Sequence, residues 1–600
     1  MTGSETYAGD EKLIFGIDLG TTMSAVSFCH LQVGAQPRVR LVTKWPGQED
    51  AAGDCKLPSL VRYNTAGEPV AFGADALENA AGIDGTLARW FKLHLHPQSM
   101  KTTGTNTLEI PPLPEGVPLK QVYAHFLNYL YSHSTAFFRD NSHDGPSIWE
   151  RLQDSIEIVL AVPNGWDTPQ QGFLRDAVVL AGILPEGHAP RRLQFVSEAE
   201  ASVHFALQHS EGERWLRPGT NFAVLDAGGS TVDTTLYRCT AITPKLQLEE
   251  VTASECVQAG SVFVDRDAEK MLRLKLKESK FSGDEYIQEM MEVFEKKTKR
   301  KFDGSADQSV IAFGRARDND PACNISKGRI TLTSDEVALT YQGVIYDIHE
   351  SFERVLERAD KFCDAHLMVG GFSESPYLRK TLRERNSHRG MQIVSIDDGT
   401  KKAAAEGATL WYLRQTVVAR AARAYFGTNM TTPFLATDSM HQERAHTKFT
   451  DPDGVIRIGP LLSVWCSKNE IIRGDESRSF DYCRMYPSDT FEASQLAGFE
   501  MQIYACDNNV RPYWLYDATN VKTNDHLASG TRPVCKIVGD LSNLRSSMKL
   551  LNGLGGKKYY KVDYTVEVFF GQTALCAELT WQDNGVTKKG PLTLIPDSVL

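Results

Sequence analysis

Two stretches of this chain carry the residue types that can hold a phosphate and its counter-ion. Ile14–Phe28 reads I-F-G-I-D-L-G-T-T-M-S-A-V-S-F, and Phe222–Tyr237 reads F-A-V-L-D-A-G-G-S-T-V-D-T-T-L-Y. With Asp18 set on Asp226, each shows an apolar run ending in Asp, a turn of small residues and a second β-prone run. That is the pattern of strand, tight turn, strand. Glycine accepts the backbone angles of such a turn. Gly20, and later Gly228 and Gly229, also leave backbone N–H groups bare, so that a phosphate oxygen can approach. The hydroxyls of Thr21, Thr22, Ser230 and Thr231 add donors at the same edge. An Asp closing each first strand suits Mg²⁺, which keeps most of its waters and takes few carboxylates. Asp18 and Asp226 are therefore the candidate metal residues, acting through water. Either stretch alone reads as an ordinary turn. Two in the same strand context predict facing hairpins that grip a nucleotide's phosphates and metal.

Those hairpins must be positioned by the rest of the chain. Its 600 residues exceed one core and predict two to four domains. Apolar and charged shares of 42% and 24% are those of a soluble globular chain. A net charge of −11 argues against a nucleic-acid surface. Met1–Asp10 lacks the apolar core of a signal peptide, and the longest clean apolar run, Ala177–Leu184, is too short for a bilayer. Eleven cysteines without a C-x-x-C pair read as reduced thiols. The expectation is a cytoplasmic protein with neither membrane nor nucleic-acid partner.

Lys101–Pro118 reads as a Thr- and Pro-rich loop, and Leu119–Phe138 as a packed helix. Ile156–Val162 is a buried-strand run stopped by Pro163, after which Thr168-Pro169 opens a helix to about Leu184. Phe195–Ala201 carries a strand into a helix through about Leu207. Arg266–Lys301 is charged and helical. Its basic run, Lys296–Lys301, is expected as a solvated face rather than a nucleic-acid patch. His366–Tyr377 ends a strand in Gly370-Gly371, where bare backbone lets a flat base lie close, and Ser375-Pro376 starts a helix. From Arg423–Pro433 onward, strands are predicted at Val455–Ile458, Phe499–Ala505, Val534–Val538, Tyr559–Phe570 and Ala574–Trp581, a β-sandwich-like pattern. Leu554–Lys558 imitates part of a P-loop but leads into a strand, and reads as a hairpin turn.

The two hairpins, followed in order by the Gly-Gly strand end, resemble the two phosphate motifs and the adenosine motif of the actin-like ATPase superfamily. Within it they resemble the heat shock protein 70 family. Ala161–Leu184 resembles that family's V-P-A…Q-R…A-G-L segment, Ala259–Asp265 its Gly-Gly…Phe-Asp loop, and Ala403–Leu413 the helix returning to the first lobe. Gly370-Gly371-Phe372-Ser373-Glu374-Ser375-Pro376 is similar to the atypical, lidless branch. The resemblance implies an α/β fold, with a two-lobed actin-like ATPase (ribonuclease H-like) domain at 12–424. Lobe I takes about 12–215 plus 401–424, and lobe II about 216–400. A β-sandwich-like domain at 430–600 would stand where the family binds substrate, so unfolded or client protein is an expected partner. ATP or ADP with Mg²⁺ is the expected ligand.

Carried over residue by residue, the resemblance puts Gly20, Thr21, Thr22, Gly228, Gly229, Ser230 and Thr231 on the phosphates. Gly260 is carried over as a nucleotide-binding residue with its loop, Glu295, Lys299 and Arg300 go to adenine and ribose, and Gly370, Gly371 and Phe372 to the adenosine motif. It sets Glu198 on the attacking water, helped by Asp233, beside the metal acids Asp18 and Asp226. A lysine should reach the γ-phosphate: Lys92 is the candidate, with Arg89 and later lysines as alternatives. The plainer readings are that Ser197 caps a helix whose dipole Glu198 complements, and that Lys92 snorkels at the surface. Met23, Ser197, Ala199 and Glu374 depart from the usual chaperone pattern. An ATP-hydrolysing chaperone-like protein is the leading expectation. A nucleotide-sensing adaptor with vestigial hydrolysis is the alternative. A small-molecule kinase stands third, because the β-rich tail suits it poorly.

Overall fold

The computed structural model describes residues 6–51, 53–77, 85–97, 100, 110–210, 215–243, 245–395, 402–474, 476–517, 526–569, 576–583, 586–591 and 593–596. Parts of four expected segments, Met1–Glu5, Lys101–Glu109, Phe570 and Ala574-Leu575, lie outside the described residues. The chain forms two compact units. One comprises Met1–Trp166, Phe173–Glu249 and Ser254–Val417; the other comprises Asp167–Gly172, Glu250–Ala253 and Val418–Leu600.

In the first unit, β1 (Lys12–Asp18) and β2 (Met23–Leu31) form an antiparallel hairpin. β3 (Arg40–Leu41) pairs with β2, while β4 (Glu157–Val162) runs parallel to β1 and β5 (Leu193–Ser197) parallel to β4. The order is β3-β2-β1-β4-β5. A second sheet repeats it with β6 (Asn221–Ala227), β7 (Val232–Ala241), β8 (Gln247–Glu250), β9 (Ala365–Val369) and β10 (Gln392–Ser395), in the order β8-β7-β6-β9-β10. The registers correspond too. Asp18 stands opposite Ala161 of β4, and Asp226 opposite Val369 of β9. The central strands are buried on both faces, which is why they read as unbroken apolar runs rather than alternating ones.

α1 (Leu119–Asn141) buries Leu119, Val122, Tyr123, Phe126, Leu127 and Leu130 at helical spacing. α2 (Glu198–His209) follows β5, α3 (Ser261–Lys275) follows the second hairpin, and α4 (Ala403–Arg414) comes after β10. The core under the second sheet takes Val203 and Phe205 from α2, while the core of the first sheet takes Ala404, Ala408 and Trp411 from α4. The two helices also meet directly. A side-chain carbon added at Gly407 would fall 1.9 Å from the carbonyl oxygen of Ala201. Trp411 Nε1 donates to Glu200 Oε1 at 2.8 Å across the same contact.

Two expected elements differ. The helix beginning at Thr168 ends at Leu180 instead of Leu184, since Gly182 turns the chain with φ of 70°. The expected single helix over Arg266–Lys301 is broken: α3 ends at Lys275, a second helix spans Asp284–Val293, and Phe294–Thr298 forms a π turn. Ser282-Gly283 supplies the break. Among the described residues no helix is long and apolar enough to cross a membrane.

The second unit is mainly β. One sheet has the order Phe449–Thr450, Ile456–Cys466, Tyr425–Pro433, Phe499–Cys506, Thr531–Gly539, Thr593–Pro596. The other runs Ser477–Pro487, Lys558–Phe569, Cys576–Asp583, Val586–Pro591, with Lys549–Asn552 also on Lys558–Phe569. One core draws Trp465, Ile503 and Ile537 from the first sheet and Val566, Val568 and Leu579 from the second. Leu554–Gly556 makes the turn between Asn552 and Lys558, which pair across the ladder.

Candidate functional site

The tips of the two matching hairpins meet. Thr21 and Ser230 share a 2.7 Å hydrogen bond between their hydroxyls. A carbon added at Gly229 would stand 2.7 Å from Thr22 Oγ1, so only glycine lets the second tip come this close. Each tip is braced from behind. At the first, Gly20 N–H donates to Ser24 Oγ at 3.2 Å, and Ser59 N–H to the Thr22 carbonyl at 2.9 Å. At the second, Gly228 N–H donates to the Thr231 carbonyl, closing the turn. The carbonyls of Gly228, Gly229 and Ser230 accept from Ser261, Val262 and Gly260 at 3.2, 2.9 and 3.0 Å. Gly260 is packed so tightly that an added carbon would lie 2.4 Å from Gly229 backbone.

Behind the tips lies a cluster of buried charge. Asp18, Asp226 and Asp233 are all nearly inaccessible, and Asp226 stands directly opposite Asp233 across the second hairpin. Lys402, the residue before α4, places its ammonium 2.5 Å from Asp18 Oδ2. Lys92 sits on a short 3₁₀ turn, Phe91–Leu95, with its ammonium 2.5 Å from Glu198 Oε1 and 5.6 Å from the Trp166 ring. Lys92 is thus buried and paired, not snorkelling. Ser197 caps α2 by accepting from Glu200 N–H at 3.1 Å, so the capping role is real, while the Glu198 carboxylate is directed at Lys92. Ser202, one turn further along α2, donates a short hydrogen bond to Asp226 Oδ2.

These groups feel one another. Burial pushes Asp226 up to about 7, with the Glu198 and Asp18 charges adding to the rise and Ser202 and Lys402 opposing it. Burial also raises Glu198, against the pull of Lys92. For Lys402 burial works downward, but Asp18, Glu198 and Asp226 together hold the ammonium above the usual lysine value. Hard carboxylate oxygens from two strand ends and one helix start are the donors a hydrated Mg²⁺ accepts. Among the described residues, no three His, Cys, Asp or Glu side chains gather closely enough to ligate a metal by themselves.

The nucleoside-side residues divide. Gly370 takes φ of 87°, and a carbon there would stand 2.4 Å from Asp226 Oδ1, which ties this strand end to the acid cluster. Gly371 has open space around it. Phe372 is buried, its ring 6.3 Å from that of Tyr341. Lys299 is buried in a 2.5 Å pair with Asp265, which corrects the expected solvated face for that residue. Burial pushes Asp265 up to about 6 against Lys299, and Glu295 adds to the rise from its exposed position on the π turn. Glu374 pairs with Lys56 at 3.2 Å. Lys402 and Ser202 are absent from the sequence expectations. For Lys402 a signal existed in the pair Lys401-Lys402 directly before an Ala-rich helix; Ser202 gave none.

No family model matches the chain. Heat shock 70 kDa protein 12B of Homo sapiens is 22% identical over 482 residues, 64% of this chain and 66% of that protein. Heat shock 70 kDa protein 12A of Mus musculus is 20% identical over 493 residues, 68% of this chain and 70% of that protein. The human 12A protein matches equally well. The chain is a distant relative of these heat shock protein 70 family members. It spans about two thirds of the length of each of these relatives. Its mixed α/β architecture of several sheets accords with the ATPase fold of that family.

Proposed function

We propose that this chain binds and hydrolyses ATP as a chaperone-like protein of the heat shock protein 70 type. The repeated strand order is the ground for a two-lobed, actin-like nucleotide-binding domain at 12–424, and the shared core of two sheets is the ground for a β sandwich at 430–600 that takes client protein. The observation that carries the reading is the convergence of the two hairpin tips over Asp18, Asp226 and Glu198. Phosphate oxygens would be held by the backbone N–H edges and hydroxyls of Thr21, Thr22, Gly229, Ser230 and Thr231. Asp18 and Asp226 would hold a hydrated Mg²⁺, which supplies charge neutralisation at the phosphates when bound. Glu198, poised by Lys92, would accept a proton from or orient the attacking water, with Asp233 near Asp226 supporting it. Lys92 would offset charge on the γ-phosphoryl group. Gly370 and Gly371 would leave room for the adenine. Nucleotide state would then be coupled to client binding, equally in both directions.

Single-turnover ATP hydrolysis by wild type and Glu198→Gln tests this. A loss of about tenfold or more is expected for the variant, and equal rates would remove Glu198 from the mechanism. One observation favours a nucleotide-sensing adaptor as a second reading: Asp18 and Glu198 are each already paired with a lysine. ATP-dependent release of a bound unfolded peptide separates chaperone from adaptor.

A further inference from the structure

The turn that follows β4 carries a side-chain amide that no role above uses. Pro163 has no N–H with which to continue the ladder. The chain turns through Pro163-Asn164-Gly165-Trp166, closed by Trp166 N–H donating to the Pro163 carbonyl at 3.0 Å. Trp166 pins the turn, since its Nε1 donates to His96 Nδ1 at 2.9 Å. Three contacts set Asn164 beside Glu198. Val162, two residues before it, pairs with Ser197, the residue before Glu198. Trp166, two residues after it, has its ring 5.6 Å from the Lys92 ammonium that is bound to Glu198. Asn164 Nδ2 itself donates to Thr235 Oγ1 at 3.2 Å, and Thr235 shares a face of β7 with Asp233, two residues earlier. Asn164 is only 1% exposed, and among the described residues no donor reaches its Oδ1. The Tyr123 hydroxyl of α1 is also fully buried without a hydrogen-bond partner. Burial raises that phenol, and the Glu198 charge adds to the rise.

We propose that Asn164 holds the hydrolytic water together with Glu198. This rests on the ATP-hydrolysing reading above. A water that attacks phosphorus has two O–H bonds, and both need acceptors if a lone pair is to face the phosphorus steadily. Glu198 accepts one, and Asn164 Oδ1 accepts the other. As the new oxygen–phosphorus bond forms, the bond from the γ-phosphorus to the bridging oxygen breaks, and its electron pair leaves with ADP. The proton on the Glu198 side passes to that carboxylate and on to solvent. The O–H bond facing Asn164 stays whole and goes with the phosphate, so Asn164 neither gains nor loses a proton. An amide suits this place because it is neutral. Glu198 and Asp233 already bring acids here, and burial already raises Glu198. A third carboxylate would add to that rise, whereas an amide oxygen accepts without charge. A buried acceptor is costly until a donor reaches it, and a bound water meets that need. Thr235 anchors the other end of the amide, which keeps Oδ1 from swinging away.

The test pairs single-turnover ATP hydrolysis with the Kd of a fluorescent ADP analogue, both on the full chain. Asn164→Ala should lower the hydrolysis rate about tenfold or more, while the Kd stays within about threefold of wild type. A general loosening of the site would not give that split, and the retained binding shows that the variant is folded. Thr235→Val spares the Asn164 oxygen and removes its anchor, so it should lower the rate by less, again with binding kept. A crystal structure of the wild type with ADP should show an ordered water within hydrogen-bond reach of both Asn164 Oδ1 and Glu198. An unchanged rate in Asn164→Ala, or a Kd that worsens as much as the rate falls, overturns the inference. So does a crystal structure that lacks this water or sets a protein donor on Oδ1. A large loss in Asp233→Asn beside an unchanged Asn164→Ala would make Asp233 the second acceptor, and the inference would fall while hydrolysis stood. Absence of hydrolysis by wild type overturns the hydrolytic reading and this inference with it.

Discussion

The two sheets of the first unit share a strand order and a register, yet they treat equivalent positions in different ways. Asp18 ends β1 and meets an ammonium from Lys402. Asp226 ends β6 and meets a hydroxyl from Ser202, and burial leaves its carboxyl high. One strand over, Ile158 in β4 pairs with Phe15, whereas the equivalent His366 in β9 pairs with Ala223. The backbone of the repeat is thus the common part, fixed by hydrogen-bond ladders and tight glycine turns. Its chemistry is set by what reaches each strand end from elsewhere in the chain. A duplicated scaffold need not mean duplicated roles, and the asymmetry lies in the helices α2 and α4.

The largest effect should come from breaking the contact that serves both sheets at once. Gly407→Ala puts a carbon 1.9 Å from the Ala201 carbonyl, and neither partner is a pliant side chain. α2 and α4 must separate, loosening the cores beneath both sheets. A loss of about 3 kcal/mol or more is expected from overpacking at such a crossing, read as the denaturant midpoint. An unchanged midpoint would mean that the helices do not cross this closely.

This crossing shows where sequence reasoning succeeds and stops. The hairpins were legible because strand, turn and hydroxyl signals are local and occur twice. The cap at Ser375-Pro376 was legible for the same reason, and Ser375 Oγ accepts from Leu378 N–H at 3.4 Å. Gly407 lay inside an Ala-rich helix that could be read as a helix, but the residue facing it is some two hundred positions away in the chain, and nothing local announces that approach. Lys402 and Asp18 meet across 384 positions, a still longer separation. Lys299 looked like part of a solvated run because its neighbours Lys296, Lys297 and Arg300 are exposed, while only its own partner, Asp265, makes burial tolerable. In the second unit, Ser477–Pro487 was not expected as a strand. Its outward positions are Ser479, Asp481 and Cys483, and its inward face sets Arg478 and Arg484 among Phe480, Tyr482 and Tyr486, which pack on the core, so the two arginines interrupt an apolar reading.

The second effect sharpens the comparison between Ile158 and His366. The imidazole is fully buried, its ring 4.6 Å from that of Phe352. Burial lowers its pKa from 6.5 to about 4. Between these values the unfolded chain takes up a proton that the folded chain refuses. The stability linked to the neutral ring is therefore complete above 6.5 and is lost as pH falls toward 4. By pH 5 the loss amounts to about 2 kcal/mol. His366→Phe, which can keep the ring contact, should remove that part of the acid sensitivity. Unfolding curves at pH 7 and pH 5 that shift equally for wild type and variant would show that the ring is not held neutral.

The smallest effect probes the direct bond between the two hairpin tips. Thr21 and Ser230 hydroxyls are 2.7 Å apart and both residues are buried, so each satisfies the other in a place with little water. Thr21→Val keeps shape and removes the hydroxyl, and Ser230→Ala does the same on the opposite tip. Each single variant leaves one buried hydroxyl without this partner, whereas the double variant leaves none. The double variant should therefore be less damaging than the sum of the singles, with a coupling of about 1 kcal/mol in a double-mutant cycle. Simple additivity would mean that the tips do not touch in solution, and the convergence of the two hairpins over one set of phosphates would lose its most direct physical support.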